Sequence, residues 1–117
     1  MKRQRRSRRI PNAACAIPRL ARRYAQAIRQ DLTDQVRLIA LYGSRARGDA
    51  HAGSDYDFLV VLSSPTQKER ETVTAAGAKL LAETDQLCAA LVYSPEQWER
   101  VQQSPLGWNI LREGVEL

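Results

Sequence analysis

A chain of 117 residues, 44% hydrophobic and 26% charged, can bury one core but not two, and its balance is that of an ordinary globular domain. No apolar run approaches the ~20 residues of a membrane helix and no secretory h-region follows the basic start, so a membrane role is excluded and the cytoplasm is the expected compartment. Cys15 and Cys88 stand far apart and His51 is the sole histidine, which excludes a disulfide framework and a structural zinc site.

The net charge of +5 is unevenly spread. Lys2, Arg3, Arg5, Arg6, Arg8 and Arg9 hold six of the 18 basic residues, and from Ile10 onward 12 basic residues face 13 acidic ones. Dense like charge cannot bury enough apolar area to offset its ordering entropy, so residues 1–16 read as a disordered basic tail ahead of a single domain over 17–117. Such a tail is solvated, or it serves as an arm that binds nucleic acid.

The first helix is expected to start at Pro18, with Leu20, Tyr24, Ala27 and Ile28 forming its apolar stripe. Val36 to Tyr42 (VRLIALY) reads as a strand closed by Gly43, and Gly43-Ser44 should open a short helix. Asp55 to Leu62 (DYDFLVVL) reads as a central strand, apolar on both faces beyond Asp57. Ser64-Pro65-Thr66-Gln67 has the form of a capping box with Ser64 at the N-cap, starting a helix that runs to about Thr84 and buries Val73, Ala76, Leu80 and Leu81. Gly77 inside it points to close packing on the sheet. A third strand spans Gln86 to Tyr93. Ser94-Pro95-Glu96-Gln97 repeats the cap before a helix with Trp98 and Val101, and a last helix runs from Pro105 to a Gly114 C-cap. The two tryptophans read as anchors in the core or at an interface. The order α-β-α-β-α-β-α-α gives the fold class α+β: a small mixed sheet with helices packed on it.

The chemistry concentrates in LYGSRARGDAHAGSDYDFLVVL. On a strand, residues two apart share a face, so Asp55 and Asp57 project together while Tyr56 and Phe58 turn away. Two carboxylates so placed repel each other unless a cation joins them, and oxygen donors in this number suit Mg²⁺, which keeps waters and bridges to phosphates. Gly43 lets the backbone turn closely, Ser44 supplies N–H and hydroxyl donors, and Arg45 and Arg47 bring guanidinium forks that match phosphate oxygens. His51, in the loop between the two motifs, reads as solvated.

Gly43-Ser44, ten intervening residues, then Asp55-Tyr56-Asp57-Phe58 resemble the signature of the minimal nucleotidyltransferases (MNT) of the DNA polymerase β-like superfamily, and VYSPEQWERVQQSPLGWNILREGVEL is similar to the end of such domains. The resemblance covers about residues 18–117. It implies a polymerase β palm-like nucleotidyltransferase fold, with Gly43 and Ser44 on the triphosphate and Asp55 and Asp57 as catalytic carboxylates holding divalent metal, Mg²⁺ or Mn²⁺. The implied reaction moves NMP from ATP or another NTP to a hydroxyl and releases pyrophosphate. It further implies a small helical partner of the HEPN type, with the MNT chain as antitoxin and the partner as AMP acceptor. Active family members carry a third carboxylate on the next strand; in QLCAALVY the place falls to Ala89 or Leu91, with Asp85 or Glu83 as the nearest acids. An MNT-fold module that acts by binding, without catalysis, is the alternative this departure leaves open.

Overall fold

A computed structural model describes residue 10 and residues 17–117. The basic tail and Cys15, expected from the sequence within residues 1–9 and 11–16, lie outside the described residues. The elements are α1 (Arg19–Asp31), β1 (Val36–Tyr42), α2 (Ser44–Arg47), β2 (Tyr56–Leu62), α3 (Gln67–Thr84), β3 (Cys88–Tyr93), α4 (Pro95–Val101), α5 (Pro105–Glu113) and β4 (Val115–Glu116). The strands form one mixed sheet in the order β3-β2-β1-β4. β2 runs antiparallel to β1 and parallel to β3, and β4 runs antiparallel to β1. The parallel pair is joined by α3, the crossover that parallel neighbours require.

Alternation along the strands builds two cores. Ile39, Leu41, Phe58, Val60 and Leu62 pack with Tyr24 and Ile28 of α1 and with Val73 and Leu80 of α3. Ala40, Leu59 and Val61 point the other way, onto Trp98 of α4 and Ile110 of α5. β2 is therefore buried on both faces, as its continuous apolar run dictates. Tyr24 stacks on Phe58 with centroids 3.9 Å apart, fixing α1 on the sheet. A Cβ at Gly77 would stand 3.2 Å from the Cys88 carbonyl oxygen, so the absence of a side chain lets α3 lie close on β3.

Four details depart from the sequence reading. α3 begins two residues later than expected: Thr66 is the N-cap, and its N–H donates to the Glu69 carboxylate at 3.0 Å. A charged acceptor at the third helical position outcompetes the neutral Gln67 of the alternative frame. Leu81 faces solvent rather than the core, because Leu80 and Gly77 take the buried stripe. Trp98 is buried, whereas Trp108 is 58% exposed and anchors nothing in the core. β4 was not anticipated, and Gly114 caps α5 in an extended conformation that leads straight into it. No helix among the described residues is long and apolar enough to cross a membrane.

Candidate functional site

The site lies where the ends of β1 and α2 meet the start of β2. β1 and β2 pair in register Leu41↔Phe58 and Tyr42↔Asp57, so the residue after Tyr42 arrives directly beside Asp57. That residue is Gly43, with φ 81 and ψ −162, a conformation open in practice only to glycine. A Cβ placed there would stand 2.5 Å from Asp57 Oδ2. The carboxylate therefore rests over the glycine backbone, in space that any other residue would fill. Chain reversal then starts α2, whose Ala46 and Arg47 N–H groups both donate to the Gly43 carbonyl at 3.0 Å. The Ser44 and Arg45 N–H groups precede any intrahelical acceptor and remain available at the turn. Gly48, left-handed at φ 89, ends this single turn.

Asp57 shares the α4/α5 face of β2 with Leu59 and Val61, and Tyr56 and Phe58 face the α1/α3 core. Asp55 lies one position before the strand and is exposed; Asp57 is half-buried. Burial first, and the charge of Asp55 second, push the Asp57 carboxyl above the ordinary carboxylate range, while the nearby Arg47 guanidinium draws it back. The two acids and Arg47 are thus within electrostatic reach of one another. Burial, with the Asp57 charge as a lesser cause, pushes the phenol of Tyr42 up to about 12.

The two arginines have different surroundings. Arg45 turns back under the loop: its Nη2 donates to the Ser54 carbonyl at 3.0 Å and to Gln86 Oε1 at 3.3 Å, and its guanidinium stacks 4.4 Å from the Tyr56 ring centroid. Arg47 Nε donates to Asp49 at 3.1 Å and its Nη1 to Glu113 at 3.0 Å. His51 shapes the same loop, its exposed ring accepting from the Gly53 N–H at 3.3 Å and its backbone N–H donating to Ser54 Oγ at 3.0 Å. Ser54 closes the turn with an N–H bond of 2.9 Å to the His51 carbonyl.

The register of β3 settles which residue flanks the acidic pair. Asp57 pairs with Ala89, and Leu91 lies two residues deeper beside Leu59. Ala89 is exposed, so the side of the site away from β1 presents a methyl group beside Asp57. Among the described residues no group of three His, Cys, Asp or Glu side chains is placed to hold a metal ion. Two carboxylates, of which Asp55 adds to the raised proton affinity of Asp57, are a hard-oxygen donor set suited to Mg²⁺ or Mn²⁺, provided that water and a ligand's phosphates complete the coordination. Glu113, which sequence reasoning did not single out, joins the edge of this site through Arg47; its long-range pairing leaves no local sequence signal.

Comparison with known proteins bears on the fold and the family. Among solved structures, a toxin-antitoxin complex crystallised with AMP-PNP is 20% identical, with a TM-score of 0.57 over 80% of this chain and 68% of that one. A variant of the toxin-antitoxin MntA-HpeT gives 0.56 at 20% identity over the same shares. A suggested nucleotidyltransferase from Sulfolobus solfataricus gives 0.51 at 20% identity, over 84% of this chain and 78% of that one. At such identity the likeness is one of fold. No curated protein matches the chain. Residues 21–106 match the family model described as "Nucleotidyltransferase domain", a span that contains the Gly43 turn, both aspartates and the whole of β3, and the chain belongs to that family.

Proposed function

We propose that this nucleotidyltransferase domain moves NMP, AMP foremost, from a nucleoside triphosphate to a hydroxyl on a small protein partner. The observation that carries the reading is the placement of Asp57 over Gly43, with Asp55 beside it: acid pair and phosphate-accepting turn form one site. Gly43 and Ser44 would receive the triphosphate through backbone N–H groups and the Ser44 hydroxyl, with Arg47 at its flank, while Arg45 orders the loop that carries Asp55. Asp55 and Asp57 would hold Mg²⁺, or Mn²⁺ in its place. When bound, the ion neutralises phosphate oxygens and lowers the pKa of the attacking hydroxyl. The acceptor oxygen forms a bond to the α-phosphorus, the α–β anhydride bond breaks, pyrophosphate departs and the hydroxyl proton passes to solvent.

The fold shared with toxin-antitoxin structures supports a role as the antitoxin half of such a pair, with a HEPN-type helical protein as partner and acceptor. Ala89 beside Asp57 favours a second reading, in which the domain binds nucleotide and partner but turns over slowly or not at all. Incubation with α-labelled ATP, Mg²⁺ and the partner protein separates the two. Label on the partner, abolished by Asp57→Asn, supports transfer; a stable unlabelled complex indifferent to Asp57→Asn supports the binding module.

A further inference from the structure

The last turn of α5 reaches the candidate site through one side chain. Glu113 is 16% exposed and accepts from Arg47 Nη1 at 3.0 Å, although the two residues are far apart in sequence. Its place is fixed from both sides. The Gly114 N–H caps α5 on the Ile110 carbonyl at 2.8 Å, and a Cβ at Gly114 would stand 2.5 Å from that oxygen. Beyond it, β4 pairs Val115 with Leu41 and Glu116 with Ala40, and the Leu117 N–H donates to the Ile39 carbonyl at 2.9 Å. The short strand thus fastens the end of α5 to β1, the strand that delivers Gly43.

Arg47 is held at two of its three guanidinium nitrogens. Asp49 takes Nε at 3.1 Å and Glu113 takes Nη1, while Nη2 has no partner among the described residues. A guanidinium carries five donors in a rigid fork, so fixing Nε and Nη1 also aims Nη2. Arg47 closes the single turn of α2 that starts from Gly43, the residue over which the Asp57 carboxylate rests, and its charge reaches Asp57. Of its two anchors Glu113 is the sheltered one: Asp49 is 61% exposed, and an ion pair in full solvent holds little orientation.

We propose that Glu113 is a positioning residue that orients Arg47 across the mouth of the Asp55/Asp57 site, so that its free donors meet the phosphates of an incoming triphosphate. The inference rests on the nucleotide reading above. Glu113 touches neither substrate nor metal; it acts through Arg47, and β4 is the element that keeps it in reach.

The test is a double-mutant cycle on the full chain, read as Mg·ATP affinity by calorimetry, with Mg·GTP, Mg·CTP and Mg·UTP as further probes. Arg47→Ala and Glu113→Ala should each weaken binding about tenfold, the worth of one charge-assisted hydrogen bond, and the double variant should be no weaker than Arg47→Ala alone. Glu113→Gln, which keeps an acceptor for Nη1, should recover most of the loss. Glu113→Asp, with its carboxylate drawn back by one methylene, should not, and it serves as the second variant should Glu113→Ala fail to fold. Additive losses, or Glu113→Ala and Glu113→Asp that bind as wild type does, overturn the positioning role while leaving the nucleotide reading intact. A wild-type chain that binds none of the four nucleotides overturns both.

Discussion

The carboxylate of Asp57 occupies the space in which a side chain at Gly43 would stand, with Oδ2 2.5 Å from the position of that missing Cβ. Turn and acid are therefore interdependent. Gly43→Ala combines backbone strain of about 1–3 kcal/mol at this φ/ψ with displacement of Asp57. Urea denaturation should show a loss of that size, and Mg·nucleotide binding should be abolished. A variant as stable as wild type that still binds would mean the contact has no role.

The half-buried position of Asp57 gives a pH prediction with a definite sign. Burial and Asp55 raise its pKa in the folded state, so the folded chain holds the proton more tightly than the unfolded one. The group's contribution to stability is then favourable below the unfolded value of about 4 and is lost as pH rises through the raised folded value. Asp57→Asn should accordingly melt higher than wild type at pH 7 without metal, an advantage that shrinks as pH falls through the Asp57 titration. Mg²⁺ or Mn²⁺ competes with the same proton, so its affinity for wild type should fall over that interval. Thermal melts with and without metal across pH 3 to 8 check both trends, and a lower metal-free melting temperature for Asp57→Asn at pH 7 contradicts them.

Ala89 stands beside Asp57 across the parallel ladder, and placing an acid there tests whether this position can add to the acid pair. Ala89→Asp should tighten Mg²⁺ binding by roughly tenfold or more, given the strength of a close ion contact at intermediate dielectric, and should raise the rate of label transfer. Without metal the same variant should melt lower, from repulsion among three carboxylates. Unchanged metal affinity would indicate that the residue 89 side chain does not face the pair.

Arg45 joins the loop before β2 to the start of β3, through the Ser54 and Ala52 carbonyls and Gln86, and stacks on Tyr56. Arg45→Ala should cost about 1–3 kcal/mol from lost hydrogen bonds and the cation–π contact. Amide exchange at Ser54 and Tyr56 should accelerate, since their N–H bonds, to His51 and Leu87, belong to the segment that Arg45 holds. Exchange rates equal to wild type would rule out a loop-ordering role.

Much of this architecture was readable from local patterns. VRLIALY gives β1 to the residue, because an apolar run between a polar stretch and a glycine has one reading. Ser94-Pro95 gives the α4 cap, with the Gln97 N–H donating to Ser94 Oγ at 3.1 Å. The i, i+2 rule separates Asp57 from Tyr56 and Phe58. What was not readable depends on pairings distant in sequence or on competition between equivalent signals. Ser64 and Thr66 each have a glutamine or glutamate three residues on, and the charged partner decides the frame. β4 is two residues long and carries no periodicity; it exists because β1 offers an edge to pair with. Only the register of β2 on β3 chooses Ala89 over Leu91 as the neighbour of Asp57. The Arg47–Glu113 pair depends on that same unforeseen strand holding the end of α5.

The central question is whether Asp55 and Asp57 together hold the ion that carries a triphosphate onto the Gly43 turn. Mn²⁺ electron paramagnetic resonance, titrated with and without ATP, measures this most directly. The prediction is weak Mn²⁺ binding alone, tighter binding with ATP, and loss of both on Asp55→Asn or Asp57→Asn in variants that still melt cooperatively. Mn·ATP binding that survives neutralisation of both aspartates would contradict it.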